Sequence, residues 1–199
     1  MLGLAVVQAE NSAEVDGGTE LGSIRGMLNS PYAKLATGIV HIVEVNGEEF
    51  KPCDKSPVMD QRNKIFVPHV LPVLVGSTVD FPNTDDVRHS VYSRKGSAND
   101  FNLGQYDAGI VKHVKLDTVG ITQLACNVHT EMSAYVIAFQ NPYFAVTDRK
   151  TKMFLIPDVP PGTYELTFFH EKIESVSLEV AVEPGKETYV EFTKLKRKR

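Results

Sequence analysis

Three residues in one seven-residue stretch carry donor atoms for a metal: Cys126, His129 and Met132, at positions i, i+3 and i+6. They offer a thiolate, an imidazole and a thioether. Soft sulfur together with imidazole suits copper cycling between two oxidation states, in a site built from two histidines, one cysteine and a long axial methionine. The stretch lacks a second imidazole, and His89 is the candidate to supply it. It lies in Val87-Arg88-His89-Ser90-Val91, where strand alternation puts Val87, His89 and Val91 on one face. Each residue also has a plainer reading. His89 could be a hydrogen-bonded core histidine. Met132 could fill a core gap, as Met27, Met59 and Met153 would. Cys126 could pair with Cys53, the only other cysteine, which sits among turn residues in Phe50-Lys-Pro-Cys53-Asp-Lys. If Cys126 holds a metal instead, Cys53 is a free thiol or pairs between molecules.

The spacing decides what must position these donors. Three ligands within seven residues require one loop, and a rigid frame on both sides of it. The flanking runs, 120–128 and 134–140, are rich in β-branched and aromatic residues and read as strands. His89 precedes Cys126 by 37 residues, enough for a crossing connection and another strand or two. Strands are also predicted at 22–28, 38–45, 64–70, 73–81, 87–93, 110–116, 152–156, 163–170, 175–182 and 188–193. Turn residues separate them, among them Asn46-Gly47, Gly76-Ser77, Pro82-Asn83, Pro160-Pro161-Gly162 and Pro184-Gly185. Helical periodicity is absent. The fold class is therefore all-β, an antiparallel sandwich or barrel whose strands fall into two sets. The expected division is 1–18 as an export-signal remnant and disordered start, and 19–63 as first strands plus a linker, with 46–63 a loop. Residues 64–142 are the metal-bearing unit, 143–193 the remaining strands of the flanking unit, and 194–199 a basic tail.

Composition excludes several classes. At 199 residues, 42% hydrophobic and 23% charged, the chain can bury a core and is neither collagen-like, disordered nor coiled-coil. No run of 18 apolar residues would make a transmembrane helix. The net charge is −4, yet five of the 21 basic residues fall in the last six positions. The rest is too acidic to bind nucleic acid through phosphate neutralisation. The tail reads as a solvated terminus, able at most to touch an anionic surface weakly. Residues 1–9, ending Val7-Gln8-Ala9, fit the back end of a secretory signal, with a frayed apolar N-terminus as the plainer reading; on the signal reading the protein is expected in the periplasm or outside the cell.

The stretch from Cys126 to Met132 resembles the cupredoxins, the blue copper proteins that include plastocyanin and amicyanin, and its Cys-x-x-His-x-x-Met spacing is similar to the short amicyanin loop. Residues 59–172 resemble plastocyanin-like proteins associated with methylamine utilisation. The matching phrases are Met59-Asp-Gln, Phe66-Val-Pro-His, Val79-Asp-Phe-Pro-Asn, His89, Leu103-Gly-Gln-Tyr, Cys126-Asn-Val-His129, Met132-Ser-Ala-Tyr, Asn141-Pro-Tyr-Phe and Pro160-Pro-Gly-Thr-Tyr. The resemblance implies one type 1 copper ion, with His89, Cys126 and His129 equatorial, Met132 axial and His129 at the solvent edge. It also implies redox partner proteins. The chain departs from the family twice. Ser90 follows the first histidine where many members carry Asn, so a weakened or absent tie between the two ligand segments is expected. Val128 precedes the loop histidine where amicyanin-like loops often carry Pro. The phrases Gly22-Ser-Ile-Arg-Gly-Met-Leu and Phe154-Leu-Ile-Pro-Asp-Val-Pro-Pro-Gly-Thr-Tyr resemble carboxypeptidase regulatory-like, or transthyretin-like, sandwiches. Together the resemblances imply an antiparallel Greek-key β-sandwich, with the flanking segments forming a second small β-sandwich.

These readings lead to an exported carrier of single electrons that is not an enzyme. The alternative is a β-sandwich module binding glycan or protein, its metal structural or absent; a third reading is copper storage or delivery. Enzyme signatures such as His-Glu-x-x-His, Gly-x-Ser-x-Gly or a phosphate loop are missing. His113 is expected on the surface. His69 and His170 are read as capping or core histidines, with a second metal site as the competing possibility. Asp85 and Asp86 are expected in a solvated turn, or facing a partner.

Overall fold

The computed structural model describes residues 20–34 and 37–198. The export-signal reading falls on residues outside that range. The described chain is all-β, sixteen strands and one 3-10 turn at Pro31–Lys34. No helix among the described residues is long and apolar enough to cross a membrane.

The chain begins with β1 (Gly22–Leu28) and β2 (Ile39–Ile42). A middle set follows: β3 (Asp60–Arg62), β4 (Ile65–Val67), β5 (Val70–Leu74), β6 (Thr78–Pro82), β7 (His89–Ser93), β8 (Asn102–Tyr106), β9 (Val111–Lys115), β10 (Gly120–Ala125) and β11 (Ser133–Phe139). It ends with β12 (Phe144–Val146), β13 (Met153–Val159), β14 (Gly162–His170), β15 (Ile173–Val182) and β16 (Glu187–Phe192).

Pairing follows this grouping. The outer strands form two sheets, β13-β1-β16 and β12-β2-β14-β15. The middle strands form the sheet β5-β11-β10-β7-β8 and the pairs β6-β9 and β3-β4. β12 lies antiparallel to β2, with Phe144 opposite His41, so the chain leaves the outer sheets and returns to them at one place. Strand pairs are antiparallel except β1 with β16 and β5 with β11.

Each group closes over its own core. In β1, strict alternation buries Ile24 and Leu28. They join Phe154, Ile156, Leu166, Phe168 and Phe192. Gly26 is obligatory there, because an added Cβ would lie 2.4 Å from the Val190 carbonyl oxygen. The middle core holds Phe66, Val79, Phe81, Val91, Leu124, Val136, Cys126 and Met132. Ile39, Val70, Ile137 and Phe139 form a third cluster where β2 meets β5 and β11.

Three expectations change. The stretch 46–63 is not all loop, since β3 lies in it and pairs with β4. The run 73–81 is two strands broken at Gly76, whose φ of +86° turns the chain. The basic tail is docked rather than loose: Arg197 bridges to Ile173, and Lys198 N–H donates to the Lys172 carbonyl at 2.9 Å. Leu195, buried in the outer core, anchors it.

Two histidines, His170 buried and His41 half-buried, give the fold a pH dependence. His170 Nδ1 accepts the Lys172 N–H at 2.9 Å, so the ring proton sits on Nε2, which is buried without a partner. Burial is the largest cause pushing its pKa below the ordinary 6.5; Lys172, Lys198 and His69 add to this and Glu171 opposes it. Burial lowers His41 as well. Below about pH 6.5 the unfolded chain takes up protons more readily than these folded rings, so stability falls as pH drops from 7 toward 5. The denaturation midpoint of the metal-free protein should be lower at pH 5.5 than at 7.5, with a shallower dependence in His170→Gln. Identical midpoints at both pH values would contradict this.

Candidate metal centre

The site forms where β7 begins and β10 ends. β10 and β11 pair from Gly120 opposite Ala138 to Ala125 opposite Ser133, so residues 126–132 are the loop closing that hairpin. β7 lies antiparallel to β10, with Tyr92 opposite Ala125. Continuing that register by two residues brings Ser90 opposite Asn127, and the Asn127 N–H donates to Ser90 Oγ at 2.8 Å. The tie expected to be weak or absent is therefore made. It uses a backbone N–H, which a short hydroxyl can reach.

This crossing gathers His89, Cys126 and His129. One Nδ1 or Nε2 of each imidazole and the Cys126 Sγ all lie within 4.8 Å of one another. The two Nδ1 atoms face each other at 3.1 Å, and the rings are tilted by 56°. His89 and Cys126 are buried, and His129 is half-buried beside the exposed Val128. Met132 is 1% exposed and lies in the same core cluster as Cys126. Its N–H donates to the His129 carbonyl at 3.0 Å, closing a turn that returns the loop to β11. At Cys126 Sγ, the Ser90 N–H approaches to 3.4 Å and the Ser90 hydroxyl to 3.7 Å.

The second nitrogen of His89 is also engaged, since Nε2 lies 2.9 Å from Asp85 Oδ2. The carboxylate requires the proton on Nε2 and leaves the Nδ1 lone pair toward His129 and Cys126. A lone pair aimed at a second imidazole and a thiol in a buried pocket is what a soft or borderline cation needs, and the donor set fits copper.

Asp85 was expected in a solvated turn. Its N–H donates to Asn83 Oδ1 at 3.2 Å, which folds the carboxylate inward, whereas Asp86 stays exposed. The Lys64 N–H, at 2.7 Å, is the largest cause holding the Asp85 pKa down to about 2, followed by His89. Neither residue type nor spacing distinguishes Asp85 from Asp86. Tyr106, opposite His89 in register, donates its hydroxyl to the Phe81 carbonyl at 3.0 Å and accepts from Gln61 Nε2. Burial pushes its pKa up to about 12, so it stays protonated.

The other candidates lie apart. Cys53 is exposed and Cys126 buried, and both are free thiols, so the disulfide reading drops. His69 contacts the Ser133 carbonyl at 3.1 Å and Glu171 at 3.3 Å. His170 is buried in the outer core region. His113 is exposed and pairs with Asp80 at 2.7 Å. Among the described residues, His89, Cys126 and His129 are the one cluster of three such donors.

No family model matches the chain, and no curated protein matches it. Solved structures with a similar course of chain include a reduced mutant of amicyanin, 20% identical over 43% of this chain and 84% of its own, with a TM-score of 0.40. A copper-containing nitrite reductase from Thermus scotoductus SA-01 is 19% identical over 59% of this chain and 28% of its own, with a TM-score of 0.42. A purple cupredoxin from Nitrosopumilus maritimus is 18% identical over 58% of this chain and 97% of its own, with a TM-score of 0.35. These scores are too low to carry an argument about this chain, whose own side chains must do so.

Proposed function

We propose that the protein carries single electrons on one type 1 copper ion, which His89, Cys126 and His129 would hold with the Met132 thioether as a further donor. The observation that carries this reading is the convergence of the Cys126 sulfur and both imidazoles within 4.8 Å. Copper, when bound, supplies the one-electron couple. The side chains do the rest. A hairpin loop and a neighbouring strand hold the donors in a frame that resists rearrangement, which favours rapid exchange of an electron. Ser90 supports the thiolate through two donors. The half-buried His129, next to the exposed Val128, offers an edge for a redox partner protein.

We read it as a carrier rather than an enzyme because a thiolate, two imidazoles and a thioether suit one-electron exchange at a soft metal ion. The signal-like run at residues 1–9, together with the resemblance of the loop to cupredoxins, supports work in the periplasm or outside the cell. Stoichiometric Cu(II) should give an intense sulfur-to-copper absorption and a reversible one-electron wave. A colourless protein that retains only zinc would favour a binding module with a structural metal.

Ser90 gives a graded test. Hydrogen bonds to the thiolate favour the reduced form, because they offset its greater electron density. Ser90→Ala keeps the backbone donor, loses the hydroxyl and frees the Asn127 N–H. The reduction potential should fall by about 40 mV, the one-electron equivalent of about 1 kcal/mol. An unchanged potential by voltammetry would remove the hydroxyl from the account.

A further inference from the structure

The hairpin formed by β3 and β4 lies outside the sheet that carries the three donors, yet Asp85 links it by hydrogen bonds to one of them. Its two-residue turn, Asn63-Lys64, has positive φ at both positions, +55° and +58°. That is the turn geometry whose twist suits a tight antiparallel hairpin. It presents the Lys64 N–H to Asp85 Oδ2 at 2.7 Å. Two further links fix the hairpin to the segment before β7. The Thr84 hydroxyl donates to both Asp60 carboxylate oxygens, at 2.8 and 2.7 Å, and the Thr84 N–H donates to the Gln61 carbonyl at 3.1 Å. Asp85 Oδ1 accepts the Asp86 N–H at 3.1 Å. The carboxylate is thus held on both oxygens, is 10% exposed, and meets a His89 side chain that is fully buried.

We infer that Asp85 is the positioning residue of the metal centre: fixed by the β3–β4 hairpin, it sets the ring orientation and tautomer of His89 and places a negative charge behind that ligand. This rests on the copper reading above. A carboxylate that accepts the outer N–H of a ligand imidazole makes the imidazole a stronger donor and favours the more positive metal ion. Asp85 therefore acts against the Ser90 donors. Ser90 favours the reduced site and Asp85 the oxidised one, so the potential is a balance of the two.

The test uses the full chain as wild type, Asp85→Asn and Asp85→Ala, each measured in two ways. Metal-free wild type should show a slowly exchanging, hydrogen-bonded His89 Nε2–H in nitrogen-resolved NMR spectra, and Asp85→Ala should lose it. Asp85→Asn keeps an acceptor and the shape but not the charge. Its copper form should keep the visible band while favouring the reduced state about tenfold more, a rise of about 59 mV. Its Cu(II) affinity should fall roughly 10–100-fold. If Asp85→Ala does not fold, Asp85→Asn alone still decides. A purely structural Asp85 would alter stability but leave the Asp85→Asn potential at the wild-type value, and that result overturns the inference while sparing the copper reading. A missing Nε2–H signal in metal-free wild type overturns it too. Wild type that takes up no copper overturns both, and is recognised because the unmutated protein fails.

Discussion

Cys126→Ser protein loaded with Cu(II) should lose the intense visible absorption and the reversible couple altogether. The band needs a thiolate bonded to copper, and Cys126 is the buried sulfur facing both imidazoles. A serine hydroxyl is a hard donor that stays protonated near neutral pH, so His89 and His129 would be left to hold a pale, labile ion. The fold should survive, because β10 and β11 pair up to the residue before Cys126 and the substitution removes little volume. Far-ultraviolet circular dichroism would show the fold intact while the visible spectrum shows the site gone. A band that persists in Cys126→Ser would assign the colour to another ligand and end the reading.

The second large effect is on stability. Phe81→Ala should destabilise the metal-free protein by about 3–5 kcal/mol, the usual range for a buried aromatic cut to alanine. Phe81 is fully buried in β6, packs on Phe101 at a centroid distance of 5.8 Å, and belongs to the core that contains Cys126 and Met132. Against a typical total of about 5–15 kcal/mol, this is a large fraction. The Phe81 carbonyl accepts the Tyr106 hydroxyl, so a shift of β6 also loosens the strand opposite His89. Guanidinium unfolding of wild type and variant measures the difference. A loss below about 1 kcal/mol would mean that this core is much looser than its burial indicates.

How far the sequence could be read depended on how much of each strand's information lay in its side chains. β1 was expected at the positions it occupies, because Ile24 and Leu28 alternate with half-exposed residues. β8 was missed. Asn102-Leu-Gly-Gln-Tyr106 is mostly exposed at a sheet edge, with Gly104 at φ +63°, and offers almost no hydrophobic pattern. β3 was missed for a similar reason: three residues, two of them charged, end in an Asn-Lys turn that lacks the usual glycine. The tail reads as solvated because its charges outweigh Leu195, which tertiary packing buries.

The site divides in the same way. Donor types and loop spacing picked out His89, Cys126, His129 and Met132, since ligand chemistry is written in residue identity. What surrounds the donors is written in backbone geometry. Ser90 reaches a main-chain N–H across the β7–β10 register, and Asp85 turns inward through an Asn83 contact. Neither can be read from residue type, and both bear on the potential.

The most direct test is a crystal structure of the copper-loaded protein with anomalous data collected on both sides of the copper edge. The account predicts one strong copper peak per chain, bonded to Cys126 Sγ and to the Nδ1 atoms of His89 and His129, with the Met132 sulfur on the axis. Copper bound elsewhere, or no peak at that junction in protein saturated with the ion, would contradict it.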